Sequence, residues 1–184
     1  MIIELPPTTL VNRIVPKDRF KFTDATKINR IRWVAKLAAN TLNISTPHLL
    51  ELEIFAVDMP EFDQTVLIQI QEKIPHCILF IVNDDWIGMI YQNKLYGRVF
   101  QEQLTIQGLD LDAVQGHFIR QILNLPISTH TLSEQINQYE QAQLLRAQIQ
   151  SLNNSIKREK QLNKKQALAR QRYALEQQLS ELGE

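Results

Sequence analysis

TLSEQINQYEQAQLLRAQIQSLNNSIKREKQLNKKQALARQRYALEQQLSEL, from Thr131 to Leu182, contains neither glycine nor proline. It is rich in Gln, Leu, Lys, Arg, Ala and Glu, the composition of a long helix. Thr131-Leu132-Ser133-Glu134 is a capping box, with Thr131 positioned to accept from the Glu134 amide while Glu134 reaches back. Leu132, Ile136, Tyr139, Ala142, Leu145, Ile149, Leu152 and Ile156 then follow 4-3 spacing, the seam of a coiled coil. The same phase next meets Glu159, Asn163, Gln166 and Arg170, and apolar spacing resumes, shifted, at Leu168, Leu175, Leu179 and Leu182. The absence of Gly and Pro predicts one continuous helix of about 75–80 Å. A hairpin folded at Asn153-Asn154-Ser155 is the alternative. A helix of that length needs something to cover its apolar stripe.

Outward from the arm, the preceding 126 residues are long enough to bury a core of their own. The expected class is α+β: a small mixed or antiparallel sheet with flanking helices over residues 1–126, followed by the coiled-coil-like helical arm at 131–183. Residues 1–22 read as an extended opening segment punctuated by Pro6, Pro7 and Pro16. Ile28, Ile31, Val34/Ala35 and Leu37/Ala38 stand at helical spacing and predict a helix over 24–40. Residues 50–57 alternate as a strand does, and Pro60 opens a predicted helix to residue 73. Strands are predicted at 77–82, 86–91, 94–100 and 104–106, with turns at Asn83-Asp84-Asp85 and Gln92-Asn93. A helix over 110–123 ends at Asn124-Leu125-Pro126.

Formal charge is zero, yet it is segregated along the chain. Residues 13–36 hold eight Lys/Arg against two acids, residues 51–112 hold eleven acids against three bases, and residues 157–172 hold seven bases against Glu159. The last group, Lys157, Arg158, Lys160, Lys164, Lys165, Arg170 and Arg172, reads as a solvated flank that keeps the arm soluble, as cations at a pitch suited to phosphates, or as a contact for an acidic protein surface. No apolar run approaches the roughly 20 residues of a membrane span. The N-terminal residues carry no basic leader ahead of an apolar stretch, so no signal peptide is expected. Cys77 is the single cysteine and lies in an apolar run, which suits a small buried hydrophobe. Together these features lead to the expectation of a cytoplasmic protein.

Catalytic signatures are sparse. None of the twenty acids is followed two positions later by lysine, as a Glu/Asp-x-Lys nuclease triplet requires. Glu51 and Glu53 share a strand face with Asp58 nearby, which leaves a minor metal-nuclease reading beside that of a solvated strand face. The histidines at 48, 76, 117 and 130 lack ligand spacing. Five glycines assemble no phosphate-cradling loop. Trp33, flanked by Arg30, Arg32 and Lys36, is read as a core-edge residue, with base stacking the alternative. No catalytic residue, metal ligand or cofactor is assigned.

An ordered set of segments resembles a known family. Leu5-Pro6-Pro7-Thr8, Val11-Asn12-Arg13 and Pro16-Lys17 come first, then Ile31-Arg32-Trp33, Lys36-Leu37 and Thr41-Leu42-Asn43-Ile44. Glu53-Ile54-Phe55, Ile74-Pro75-His76, Ile78-Leu79-Phe80 and Glu159-Lys160-Gln161-Leu162-Asn163-Lys164-Lys165 complete it. In order and spacing they resemble the bacterial domain-of-unknown-function family 4391 along nearly the whole chain. That family has no established activity, and its members tend to be encoded beside helicases and DNA methyltransferases of restriction and phage-defence islands. The resemblance implies an accessory role near DNA, with a helicase or methyltransferase component as the expected partner, and it implies no reaction. With no catalytic signature in the chain, a non-catalytic accessory subunit is expected, and the arm's seam and basic segment add a second copy or nucleic acid as expected partners.

Overall fold

The computed structural model describes residues 2–45 and 48–182. Met1, at the head of the expected opening segment, and Gly183, at the end of the expected arm, lie outside the described residues. The chain divides into two compact units, one up to Pro126 and one from Ile127 onward.

The first unit is built on a six-stranded mixed sheet whose spatial order is the chain order. The strands are β1 (Leu10–Ile14), β2 (Arg30–Ala38), β3 (Glu51–Asp58), β4 (Cys77–Val82), β5 (Trp86–Tyr91) and β6 (Lys94–Val99). All neighbours are antiparallel except β3 and β4, which run parallel. A parallel pair needs a crossover, here supplied by helix α2 (Gln64–Gln71). A short α1 (Ala39–Leu42) follows β2, and α3 (Leu111–Leu123) follows β6. Residues 52–57 of the central β3 are all buried, which requires cover on both faces. On one face Ile31, Phe55, Val57, Ile78 and Phe80 form a core with Phe20 from the opening segment and Val66, Leu67 and Ile70 of α2. Helix α3 contacts β3, β5 and β6 and buries Leu111, Val114, Phe118, Ile119 and Ile122.

The helix expected over 24–40 is instead mostly strand β2. Its register explains the misreading: Trp33 pairs with Phe55 but Ala35 pairs with Ile54, so Val34 is the extra residue of a β-bulge. A bulge breaks the period of two. Ile31 and Trp33 share a face with Lys36 and Ala38, while Arg32, Val34, Ala35 and Leu37 share the other, so the apolar residues fall three and four apart as they would on a helix. The predicted opening segment contains β1. Helix α2 begins four residues after Pro60 because Asp63 caps it, its side chain accepting the Thr65 amide at 2.9 Å. The strand expected at 104–106 is a single bridge between Leu104 and Ile3.

Strand β4 matches its predicted bounds, as does β5. The turn between β5 and β6 places Gln92 and Asn93 at φ 49 and 63°, the left-handed pair that a two-residue hairpin needs. Gly88 and Gly97 pair across β5 and β6, and the Trp86 indole lies over both. The ring fits there because neither position has a side chain. Trp86 also meets Phe62 at 4.6 Å between ring centroids.

The second unit is a helical hairpin rather than one unbroken helix. Helix α4 (Leu132–Arg158) and helix α5 (Leu162–Glu181) pack against each other across a turn at Glu159-Lys160-Gln161. The turn lies beyond Asn153-Asn154-Ser155, which remain helical. No helix of the described residues is long and apolar enough to cross a membrane.

Candidate functional site

The hairpin starts at the capping box read from sequence. The Glu134 amide donates to Thr131 Oγ1 at 3.3 Å, and the Thr131 amide donates to Glu134 Oε2 at 2.8 Å. The Thr131 amide, and its hydroxyl donating to the same oxygen at 2.9 Å, hold the Glu134 carboxyl below its ordinary pKa.

The seam residues are not an open ridge. Ile136, Ala142 and Leu145 are buried, and Leu132, Tyr139, Ile149, Leu152 and Ile156 are half-buried. On α5 the half-buried positions include Leu168, Arg172, Leu175 and Leu179, with Leu182 just past its end, again at 4-3 spacing. The polar interruption and the phase shift therefore have a physical cause: two separate helices each carry one stripe, and the turn between them carries none. Arg172 Nη1 crosses the hairpin to donate to Asn153 Oδ1 at 3.2 Å. Its Nε stands 3.2 Å from Glu176 Oε1, within ion-pair distance though not aligned for a hydrogen bond.

Turn formation without Gly or Pro rests on Glu159. Its Oε1 accepts the backbone N–H groups of Lys160 and Gln161, each at 2.8 Å. The Gln161 amide above all holds this carboxyl below its ordinary pKa. Glu159 thereby commits one carboxylate oxygen to the backbone that follows it. A carboxylate able to accept the two amides that follow it, placed where the apolar seam breaks and changes phase, is the signal in the sequence that marks this turn.

Folding back gathers the basic residues at the tip. Lys157 and Arg158 end α4, Lys160 sits in the turn, and Lys164 and Lys165 lie in the first turn of α5. All five are exposed. With Glu159, residues 157–165 carry five positive charges and one negative charge. Arg170 is exposed farther along α5, while the internal contacts of Arg172 withdraw it from the basic surface. The tip thus assembles five of the seven cations singled out in the sequence.

The carboxylates considered for metal chemistry are not assembled. Asp58 lies at the far end of β3 from Glu51 and pairs with Arg30, Nη2 to Oδ2 at 2.7 Å. Glu51 pairs with Lys36 at 2.5 Å and lies 3.4 Å from His76 Nε2. Among the described residues, no group of three or more His, Cys, Asp or Glu could hold a metal ion. Nor is the strand face solvated at Glu53, which is only 4% exposed. Its Oε2 accepts from Trp33 Nε1 at 2.6 Å. Burial pushes the Glu53 carboxyl above its ordinary pKa, against the pull of the indole N–H. Trp33 stacks on Phe55 at a 12° interplanar angle. Cys77 is half-buried and accepts from Gln115 Nε2 at 2.9 Å, and burial pushes its thiol up.

No family model, no curated protein and no solved structure matches the chain.

Proposed function

We propose that this protein is a non-catalytic accessory protein whose helical hairpin presents its basic tip to the phosphate backbone of nucleic acid. The observation that carries the reading is the convergence of Lys157, Arg158, Lys160, Lys164 and Lys165, all exposed, on one turn. Phosphate contacts need cations with free reach and little other geometry, and they position a protein without reading sequence. Such contacts release counterions, so affinity falls steeply with salt, by a log–log slope of about 0.9 per phosphate neutralised on duplex DNA. The restriction or phage-defence setting is supported by the sequence resemblance alone.

The test is a filter-binding titration of a DNA duplex at several salt concentrations. Binding with a slope of roughly four to five is expected. Changing Lys157, Lys160, Lys164 and Lys165 to Glu should abolish it. Unchanged affinity in that variant would remove the tip as the contact.

A second reading, docking on a helicase or methyltransferase component or on another copy through the arm, draws on a different observation. Leu144 of α4 and Tyr173 of α5 are 60% and 61% exposed. Large exposed apolar side chains of this kind are enriched where partners bind, although single ones are also ordinary surface. Sedimentation of the full chain and of Leu144→Glu/Tyr173→Glu tests self-association. A strictly monomeric wild type removes the dimer.

A further inference from the structure

The sheet face covered by α2 carries a cavity of about 450 Å³ lined in part by Arg19, Phe20, Trp33, Glu53, Phe55 and Lys73. That volume lies in the range of small-molecule sites. Three features of different chemistry meet there.

The first is Glu53, which is nearly inaccessible yet accepts a single hydrogen bond, from Trp33. A carboxylate offers about four acceptor sites on two oxygens. Oε1 has no hydrogen-bond partner among the described residues. The indole does not need Glu53, because Trp33 Nε1 also donates to the Ala35 carbonyl at 3.1 Å. Glu51, on the same strand face, engages Lys36 and His76 within ion-pair distance, so these groups are shared with a second carboxylate. Oε1 is not among the fully enclosed side-chain atoms that lack a partner, so it stays open to solvent or to a ligand's donor where Glu53 lines the cavity.

The second feature is a flat wall, the Trp33 ring lying nearly parallel to Phe55 with centroids 6.4 Å apart. The third is positive charge, since Arg19 and Lys73 are exposed and neither has an ion-pair partner among the described residues. A ligand satisfying all three is planar, carries an N–H donor and ends in an anion. A purely apolar ligand would leave Glu53 unsatisfied, and a simple cation would meet Arg19 and Lys73.

We propose that this cavity binds a nucleoside 5′-monophosphate group, its base against Trp33 with an N–H on Glu53 Oε1 and its phosphate at Arg19 and Lys73. Every common base offers an N–H, so the site selects the class rather than one base. The group can come as a free nucleotide or as the 5′ end of a strand. The site lies in the first unit and is independent of the hairpin tip.

Calorimetric titration of the full chain with AMP and GMP, with adenosine and ribose 5-phosphate alongside, tests the proposal. AMP and GMP are expected to bind, with adenosine and ribose 5-phosphate at least about tenfold weaker, the equivalent of one good hydrogen bond or ionic contact. A 5′-phosphorylated trinucleotide that binds more tightly than AMP assigns the group to a strand end; weaker binding assigns it to the free nucleotide; both support the site. Glu53→Gln keeps an acceptor for Trp33 but turns an NH₂ toward the base, and should lose about tenfold or more. Lys73→Glu, at an exposed position, should lose a similar factor with an unchanged melting curve, and it decides the matter should Glu53→Gln not fold. The four-lysine hairpin variant should bind AMP as the wild type does. Absence of binding by AMP or GMP up to about 10 mM, ribose 5-phosphate binding equal to AMP, or wild-type affinity in Lys73→Glu would overturn the proposal.

Discussion

Trp33 Nε1 and Glu53 Oε2 stand 2.6 Å apart across neighbouring strands, an indole donor holding a carboxyl that is almost shut off from water. Desolvation dominates that carboxyl and raises its pKa in the folded state; the nearby Glu51 adds to the rise, while the Trp33 hydrogen bond, Lys36 and His76 oppose it. A raised folded pKa means that the protonated form is the better tolerated one. Its contribution to stability is complete below the unfolded value, near 4.5, and is lost as pH rises through the folded pKa. Urea unfolding from pH 4 to 7 should therefore show wild-type stability falling relative to Glu53→Gln as pH rises. A constant difference would show that Glu53 does not titrate anomalously.

Asp63 gives the opposite sign. Lys27 Nζ at 2.6 Å, together with the Thr65 hydroxyl and amide, lowers this carboxyl to about 2 from 3.8. The stability it contributes is present above 3.8 and is lost as pH falls through about 2. Asp63→Asn retains an N-cap acceptor but not the charge. Thermal melts should show the variant less stable at pH 7, with the gap closing toward pH 2.

Trp86 constrains two glycines at once. A Cβ on Gly88 would stand 2.6 Å from Trp86 Cζ3 and 2.7 Å from the Tyr96 carbonyl oxygen, and one on Gly97 would stand 2.8 Å from the Ile87 carbonyl oxygen. Gly88→Ala and Gly97→Ala should each destabilise the first unit by about 1–3 kcal/mol, the usual range for overpacking. In Trp86→Ala/Gly97→Ala the two losses should sum to more than the measured total, because removing the ring relieves part of the clash. Strict additivity in denaturant unfolding would mean that the ring is not the obstacle.

The hairpin makes a distance prediction. Nineteen residues of continuous helix would separate Asn153 from Arg172 by about 28 Å, whereas here their side chains touch. Packed helix axes lie about 8–10 Å apart. Spin labels at Asn154 and Arg170, in a Cys77→Ala background, should report a distance consistent with packed helices. A distribution centred near 24 Å or beyond, as sixteen residues of straight helix would give, would restore the single long arm.

Where local chemistry was decisive, elements could be read from the chain. The uninterrupted apolar run of β4, the Gln92-Asn93 turn and the Thr131–Glu134 capping box each depend on residues within a few positions of one another. Strand β2 failed that test because one bulge at Val34 turned a period of two into an apparent helical spacing. The basic residues of the arm were identifiable as a charge run, but their convergence depended on a turn with no Gly or Pro, closed by the Glu159 carboxylate accepting the amides of Lys160 and Gln161.

Sequence alone determined the α+β class, the strands β4 to β6, the two apolar stripes of the arm and the placement of Glu51 and Glu53 on one strand face. These follow from periodicity and from short-range hydrogen bonds, which the chain encodes directly. Tertiary structure alone decided that the two stripes face each other, that five cations meet at one tip, and that Glu53 is buried against Trp33 while Glu51 stays half-exposed beside Lys36 and His76. Alternation tells which side chains share a face. Which layer then covers that face, and how completely, depends on contacts between residues distant in the chain, and no local pattern carries that information.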